Sequence, residues 1–96
     1  MPVVEIKSVE VKDGMPLPVG VAREPLMIGS QLELVDQNGG RGLVMVMGVI
    51  VVTEMGDKLL DSAKPGQQVK LLLRVMGGKV DVTKATALEH PPAAKA

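Results

Sequence analysis

The sequence predicts an all-β protein, a small closed or nearly closed barrel of six to seven strands. Short apolar runs with two-residue alternation recur along the chain, and Gly and Pro turns separate them. The chain has 96 residues, which is enough for one domain with a modest core. We expect a single barrel domain over residues 1–89 and a flexible C-terminal tail over residues 90–96.

The clearest strand follows the Pro65-Gly66 turn and runs from Gln68 to Val75. Its side chains alternate, because successive residues of a strand point to opposite faces. One dry face and one wet face are typical of a barrel wall. The two faces are apolar Val69, Leu71, Leu73 and Val75 and polar Gln68, Lys70 and Arg74.

The N-terminal part predicts a hairpin and a proline-limited strand. Val3 to Val11 alternates, and its phase slips at Lys7-Ser8, which predicts a bulge. Lys12-Asp13-Gly14 is a turn signal. Because Pro16 and Pro18 cannot donate to a ladder, any strand here, best placed at residues 19–22, should be very short or lie at an edge.

The middle of the chain predicts a second hairpin. Gln31 to Val35 is a short strand with Leu32 and Leu34 inward, and Asn38-Gly39 is the strongest turn signal in the chain. Arg41 to Thr53 is apolar on both faces, with Gly48 at a bend. Such a strand is either central to the fold or covered by a second chain. The two phases are Leu43, Met45, Met47, Val49 and Val51 against Val44, Val46, Ile50 and Val52.

The C-terminal part predicts three further elements. Lys58 to Ala63 has room for one helical turn, with Leu59 and Leu60 inward. Met76-Gly77-Gly78 predicts a turn. A strand over Lys79 to Thr83 with Val80 and Val82 inward follows, and then a last strand over Ala85 to Leu88.

The composition excludes several kinds of chemistry. The chain has no Cys and a single His, His90, beside two prolines, so we expect no metal site, no cofactor and no disulfide. No serine has a basic residue placed to activate it, which argues against an enzyme. Gly39-Gly40-Arg41-Gly42 resembles a phosphate-binding loop, but a strand follows it where such loops lead into a helix.

The absence of Phe, Tyr and Trp bears on both the core and the ligand. Aromatic platforms for unpaired bases are missing, which argues against the usual way of holding single-stranded nucleic acid. The core must be aliphatic, and the 7 Met are expected mainly to fill it. Methionine is also favoured on adaptable binding surfaces, which is the alternative interpretation.

Four basic residues are the candidate contacts for RNA or another anion. Lys70 and Arg74 share the wet face of one strand, and Lys79 is expected across a short turn, so the three could form a basic patch. Arg41 is expected at a loop tip. A solvated face balanced by acidic residues is the alternative interpretation of the patch.

Two segments resemble the β-barrel domain of translation factors, the second domain of elongation factor Tu and its relatives. Ile28-Gly29-Ser30-Gln31-Leu32-Glu33-Leu34 is similar to that family's turn into a strand, with Ser30 where Asp is usual. Ala63-Lys64-Pro65-Gly66-Gln67-Gln68-Val69 is similar to its "A-x-p-G-d-x-V" segment, with Gln67 in place of an acid. The resemblance implies a barrel that contacts RNA or neighbouring domains. It carries over no GTPase activity and no individual contact residue.

The functional expectation is a non-enzymatic binding module, associated with RNA or the ribosome. The alternative is a protein-interaction or self-associating module, with residues 43–52 covered by a partner or a second copy. The chain shows no basic leader and no apolar run of membrane-spanning length, so we expect a cytoplasmic protein without membrane contact.

Overall fold

The computed structural model describes residues 2–91, which form nine β-strands and one short 3-10 helix, Val82–Lys84, with no α-helix among them. Alternating apolar residues and glycine turns produce this result, as the sequence predicts. The strands are β1 (Val4–Lys12), β2 (Met15–Ala22), β3 (Leu26–Met27), β4 (Gln31–Asp36), β5 (Arg41–Thr53), β6 (Gly56–Leu60), β7 (Ser62–Ala63), β8 (Gln68–Lys79) and β9 (Ala85–Glu89).

Six of the strands close a barrel, in the order β4-β9-β1-β2-β8-β5 and back to β4, and every pairing is antiparallel. A seventh strand, β6, extends the sheet beyond β5, and β3 pairs with β7 in a separate small sheet. The predicted fold class, an all-β barrel of six to seven strands, is therefore confirmed. The first and last barrel strands are neighbours, because Val4 of β1 pairs with Leu88 of β9.

The core is aliphatic, and its largest fully buried side chains include Leu34, Leu71 and Leu88. The methionines do not fill it, so the expectation that they mainly pack the core is wrong for the described residues. Their places in the fold account for this: Met55 lies on the β5–β6 turn, and Met47 and Met76 are extra residues in the register of β5 with β8. Met45 is half-buried, and five others are exposed: Met15, Met27, Met47, Met55 and Met76.

β1 bends at the predicted position. Its register with β2 jumps between Ile6 and Ser8, which leaves Lys7 as a bulge and confirms the predicted slip. Opposite the bulge, a Cβ atom added to Gly20 would collide with the backbone carbonyl of Glu5. Only glycine therefore fits this close approach of two backbones.

β5 changes its inward face at a second bulge. Its register with β8 shifts between Val46 and Gly48, so Val46 and Val49 both point into the core although they are three residues apart. This shift explains why the strand is apolar in both phases, and it corrects the expected grouping of Met47 with Val49. β5 is central, as one interpretation of the sequence held, because it pairs with β4, β6 and β8.

Three expectations for the C-terminal half are wrong. Lys58 to Ala63 forms no helical turn: residues 56–60 are β6, and Leu59 and Leu60 are exposed. Met76 to Gly78 forms no turn, because β8 continues to Lys79 against β5, with Met76 as an extra residue in its register. The expected strand over Lys79 to Thr83 is absent, because Lys79 ends β8 and the 3-10 helix begins at Val82. Val80 and Val82 are nevertheless packed against the core, as expected.

The proline-rich strand is longer than expected. β2 has eight residues and lies between β1 and β8, so the expectation of a very short or edge strand is wrong for the element as a whole. It is correct locally, because β8 pairs only with residues 19–21 of β2. Of the expected tail, residues 92–96 lie outside the described residues.

Candidate binding surface

Arg41 does not project freely from a loop tip. It is the first residue of β5, and its guanidinium donates hydrogen bonds to Glu33 of β4 and Glu89 of β9, the latter at 3.2 Å. These bonds, first the one to Glu33, raise the pKa of Arg41 above its ordinary value. Two carboxylates therefore neutralise the positive charge of Arg41 that would attract an anion.

Lys70 is similarly occupied. Its Nζ lies 3.1 Å from a carboxylate oxygen of Glu10 and 3.1 Å from one of Asp57, and its side chain is only 21% exposed. The hydrogen bond to Asp57, followed by that to Glu10, raises the pKa of Lys70. The ammonium group thus links β1 and β6 across β8, which is a structural role.

Arg74 and Lys79 are different, because no carboxylate oxygen within residues 2–91 lies within 4 Å of either. They do not gather with Lys70. All three lie on the same long strand, so Lys79 is nine residues, or roughly 30 Å, beyond Lys70. The fold therefore spreads the expected basic patch along β8, and Lys79 pairs with Arg41 of β5.

Asp36 is an important residue that the sequence interpretation missed. Its buried carboxylate accepts hydrogen bonds from the backbone N–H groups of Asn38, Gly40 and Asp81, at 2.8 to 2.9 Å. These bonds, first the one from Asp81, lower the pKa of Asp36. An aspartate at the first position of a turn is the available signal for the local bonds. The same bonds engage the Gly40 N–H with a carboxylate, so this group is not available to hold an anion.

The barrel opens where β2 separates from β8. The β1–β2 ladder runs unbroken through Pro16 and Pro18, which have no N–H to give it, so their nitrogen atoms face β8. There the prolines lack the donors that would continue the ladder of residues 19–21 with β8. The pairing ends at Val19 and Lys70, and the two strands diverge.

The opening has apolar walls and forms a cavity of about 250 Å³, which we name the β2–β8 cleft. Leu17 lines the cleft and is almost fully buried, although it does not belong to the barrel core. Met15, beside the opening, is 55% exposed. The cleft is lined by Lys12, Asp13, Met15, Leu17, Ile50 and Leu72.

A second cavity, of about 280 Å³, lies beside the small β3–β7 sheet. Two backbone hydrogen bonds hold the neighbouring segment in place, one from the Ile28 N–H to the carbonyl of Asp61 and one from the Gly29 N–H to that of Val46. Met27 and Ile28 are both exposed here. Its lining residues are Pro25, Leu26, Met27, Ser62, Ala63, Lys64 and Pro65.

Between residues 2 and 91, no three His, Asp or Glu side chains are grouped so that they could hold a metal ion. His90 lies 2.7 Å from the carboxylate of Glu24, in a contact between two exposed side chains. Within the same residues no helix has the length and apolar character needed to cross a membrane. Compared with models of protein families, with curated proteins and with solved structures, the chain matches none.

Proposed function

We propose that this barrel is a non-enzymatic binding module whose ligand is another protein. The observation that supports the proposal is that five of the six described methionines are exposed rather than packed in the core. Flexible, polarisable methionine side chains suit surfaces that adapt to a partner. We place the contact at the β2–β8 cleft, where exposed Met15 lies beside a concave apolar wall.

Affinity capture followed by reconstitution tests this function. The wild-type protein, a Met15→Glu variant and a Met55→Glu control are used as baits in a cell lysate, and captured proteins are identified and purified. Met55 is the control because it is 89% exposed on the β5–β6 turn and lines neither cavity. We expect a purified partner to bind the wild type and the control but not Met15→Glu, with ribonuclease having no effect. Equal binding by all three baits would contradict the assignment of the cleft.

RNA or ribosome binding by a translation-factor-like barrel is the second candidate. Arg74 and Lys79 support it, because they are exposed and have no carboxylate partner within residues 2–91. The compensated charges of Arg41 and Lys70 weigh against it. Replacing Arg74 and Lys79 with Gln should reduce RNA affinity and lower the salt dependence by about one counterion per lost phosphate contact. Unchanged RNA affinity and salt dependence would reject this candidate.

Self-association is the remaining possibility for the partner. The inward side chains of residues 43–52 are covered by the barrel's own core, and the outward Met47 is exposed. A second copy would therefore have to cover the outer face of β5. Sedimentation at several concentrations distinguishes a dimer from a monomer that binds a different protein.

A further inference from the structure

We propose that the protein binds an extended acidic segment of its partner by β-strand addition to the free edge of β8, residues 72–79. This inference rests on the proposed protein-binding function and adds the mode of recognition and the chemistry of the ligand. The segment would continue the sheet at the place where β2 leaves it. Its backbone would pair with β8, and its apolar side chains would enter the β2–β8 cleft.

The backbone of β8 supplies the first argument. One side of the strand pairs with β5 as far as Lys79, whereas pairing with β2 on the other side stops at Lys70. The last pair on that side leaves Leu71 fully buried, and no backbone hydrogen bond from the described residues fills that side beyond Leu71. Because N–H groups alternate between the two sides of a strand, those of Leu73 and Val75 face the opening. Unpaired groups of this kind form a template for an added strand.

The side chains beside this edge supply the second argument. Leu72 and Ile50 line the cleft on one side of the opening, and Met15 and Leu17 line it on the other. Farther along the edge, Val75 and Met76 are 43% and 46% exposed. An added strand presents every second side chain to the same face, so apolar residues at alternate positions would meet these walls.

Charge supplies the third argument and selects the ligand. Lys12 lines the cleft, and Arg74 and Lys79 lie on the edge strand, all without a carboxylate partner within 4 Å among residues 2–91. Asp13 is the one acidic residue that lines the cleft. The excess of positive charge is complementary to an acidic segment. A second copy pairing through its own β8 would bring two sets of these bases together, which disfavours a symmetric dimer at this edge.

The test uses the full chain and two short blocked peptides in which Val alternates with Glu or with Lys. Binding is followed by the backbone amide signals of the ¹⁵N-labelled protein. We expect the Glu peptide to shift and protect the amides of Leu73 and Val75 and to bind about tenfold more tightly than the Lys peptide. A Glu peptide with N-methylated backbone amides should not bind, because it cannot complete the ladder.

A charge-reversed variant, Arg74→Glu with Lys79→Glu, provides the matched control. We expect this variant to prefer the Lys peptide. The backbone edge and the cleft are retained, and only the charges at residues 74 and 79 change sign. Shifts confined to the β3–β7 cavity, or an unchanged preference for the Glu peptide, would overturn the proposal. So would a concentration-dependent dimer that shifts the same amides without peptide. If Met15→Glu abolishes partner binding while neither peptide binds, the proposed function holds and strand addition is rejected.

Discussion

Backbone N–H groups are satisfied in one region of the barrel and left unpaired in another. At the β4–β9 side, the carboxylate of Asp36 accepts hydrogen bonds from three N–H groups that the strands leave unpaired, and the wall is closed. At the β2–β8 side, Pro16 and Pro18 have no N–H groups to donate to β8, and the edge of β8 stays open. The barrel wall is therefore interrupted only locally, and the type of residue at each place is the cause. One side chain completes the wall, and two others interrupt it.

The largest test of this comparison is a pair of leucine truncations. Leu88 is fully buried on the closed side, so Leu88→Ala should lower the free energy of unfolding by about 2–5 kcal/mol. Leu72 lines the open cleft and is half-buried, so Leu72→Ala should cost only about 1–2 kcal/mol. Urea denaturation of both variants measures the difference. Equal losses would show that the cleft belongs to the cooperative core.

A smaller effect is expected from Asp36→Asn on the closed side. The asparagine amide places N–H groups against N–H donors of Asn38, Gly40 or Asp81, so the variant should be destabilised by less than Leu88→Ala. Asp61→Asn is the control, because the Asp61 carboxylate makes no hydrogen bond or ion pair within residues 2–91.

The pH dependence of the same variant gives a second readout. The pKa of Asp36 is lower in the folded protein than its ordinary value of 3.8. Its contribution to stability is therefore present above that value and is lost as pH falls through the folded pKa. Urea midpoints measured from neutral to acidic pH should fall less steeply for Asp36→Asn than for the wild type. Parallel curves would contradict the assigned role of the carboxylate.

The smallest effect is expected at Lys70, next to the open edge. Lys70→Met removes the link between Glu10 and Asp57, and the loss should be below that of Leu72→Ala and should shrink as salt screens the pairs. Lys58→Met is the control, because no carboxylate lies within 4 Å of Lys58 among residues 2–91.

The raised pKa of Lys70 determines whether its contribution to stability grows or falls at alkaline pH. Its stabilisation is complete below the ordinary lysine value of 10.5 and is lost as pH rises through the higher folded pKa. Thermal unfolding at neutral and alkaline pH, in low and high salt, measures both dependences. Stability of Lys70→Met equal to the wild type in low salt would remove the structural role given to this residue.

The features that the sequence predicted are those encoded over a few residues. The Asn38-Gly39 hairpin depends on local turn geometry, and the bulge at Lys7 is visible as a slip in the alternation. The mistakes have equally local causes. Two adjacent leucines, Leu59 and Leu60, predict a buried segment but are exposed, and the Gly77-Gly78 pair predicts a turn but continues a strand.

The candidate site was much less predictable, because its residues meet from distant parts of the chain. Lys70 and Glu10 are sixty residues apart, and Asp36 and Asp81 are forty-five apart. No spacing rule encodes those contacts. The prolines of β2 indicated a local edge, but only the register shows that this edge exposes β8. The exposure of Met47 and Met76 depends on register shifts between β5 and β8, which the residue pattern of neither strand gives alone.

The pairing of Val4 with Leu88 has a consequence for the order in which the protein can form. During synthesis from the N-terminus, β1 and β2 can pair early, yet the wall between β4 and β1 cannot be completed before β9 has been made. Such long-range closure slows folding, because the chain loses conformational freedom before the contacts form. A nascent chain that stops before residue 85 therefore keeps the edges of β1 and β4 unpaired, and the barrel closes as one of the last events of folding.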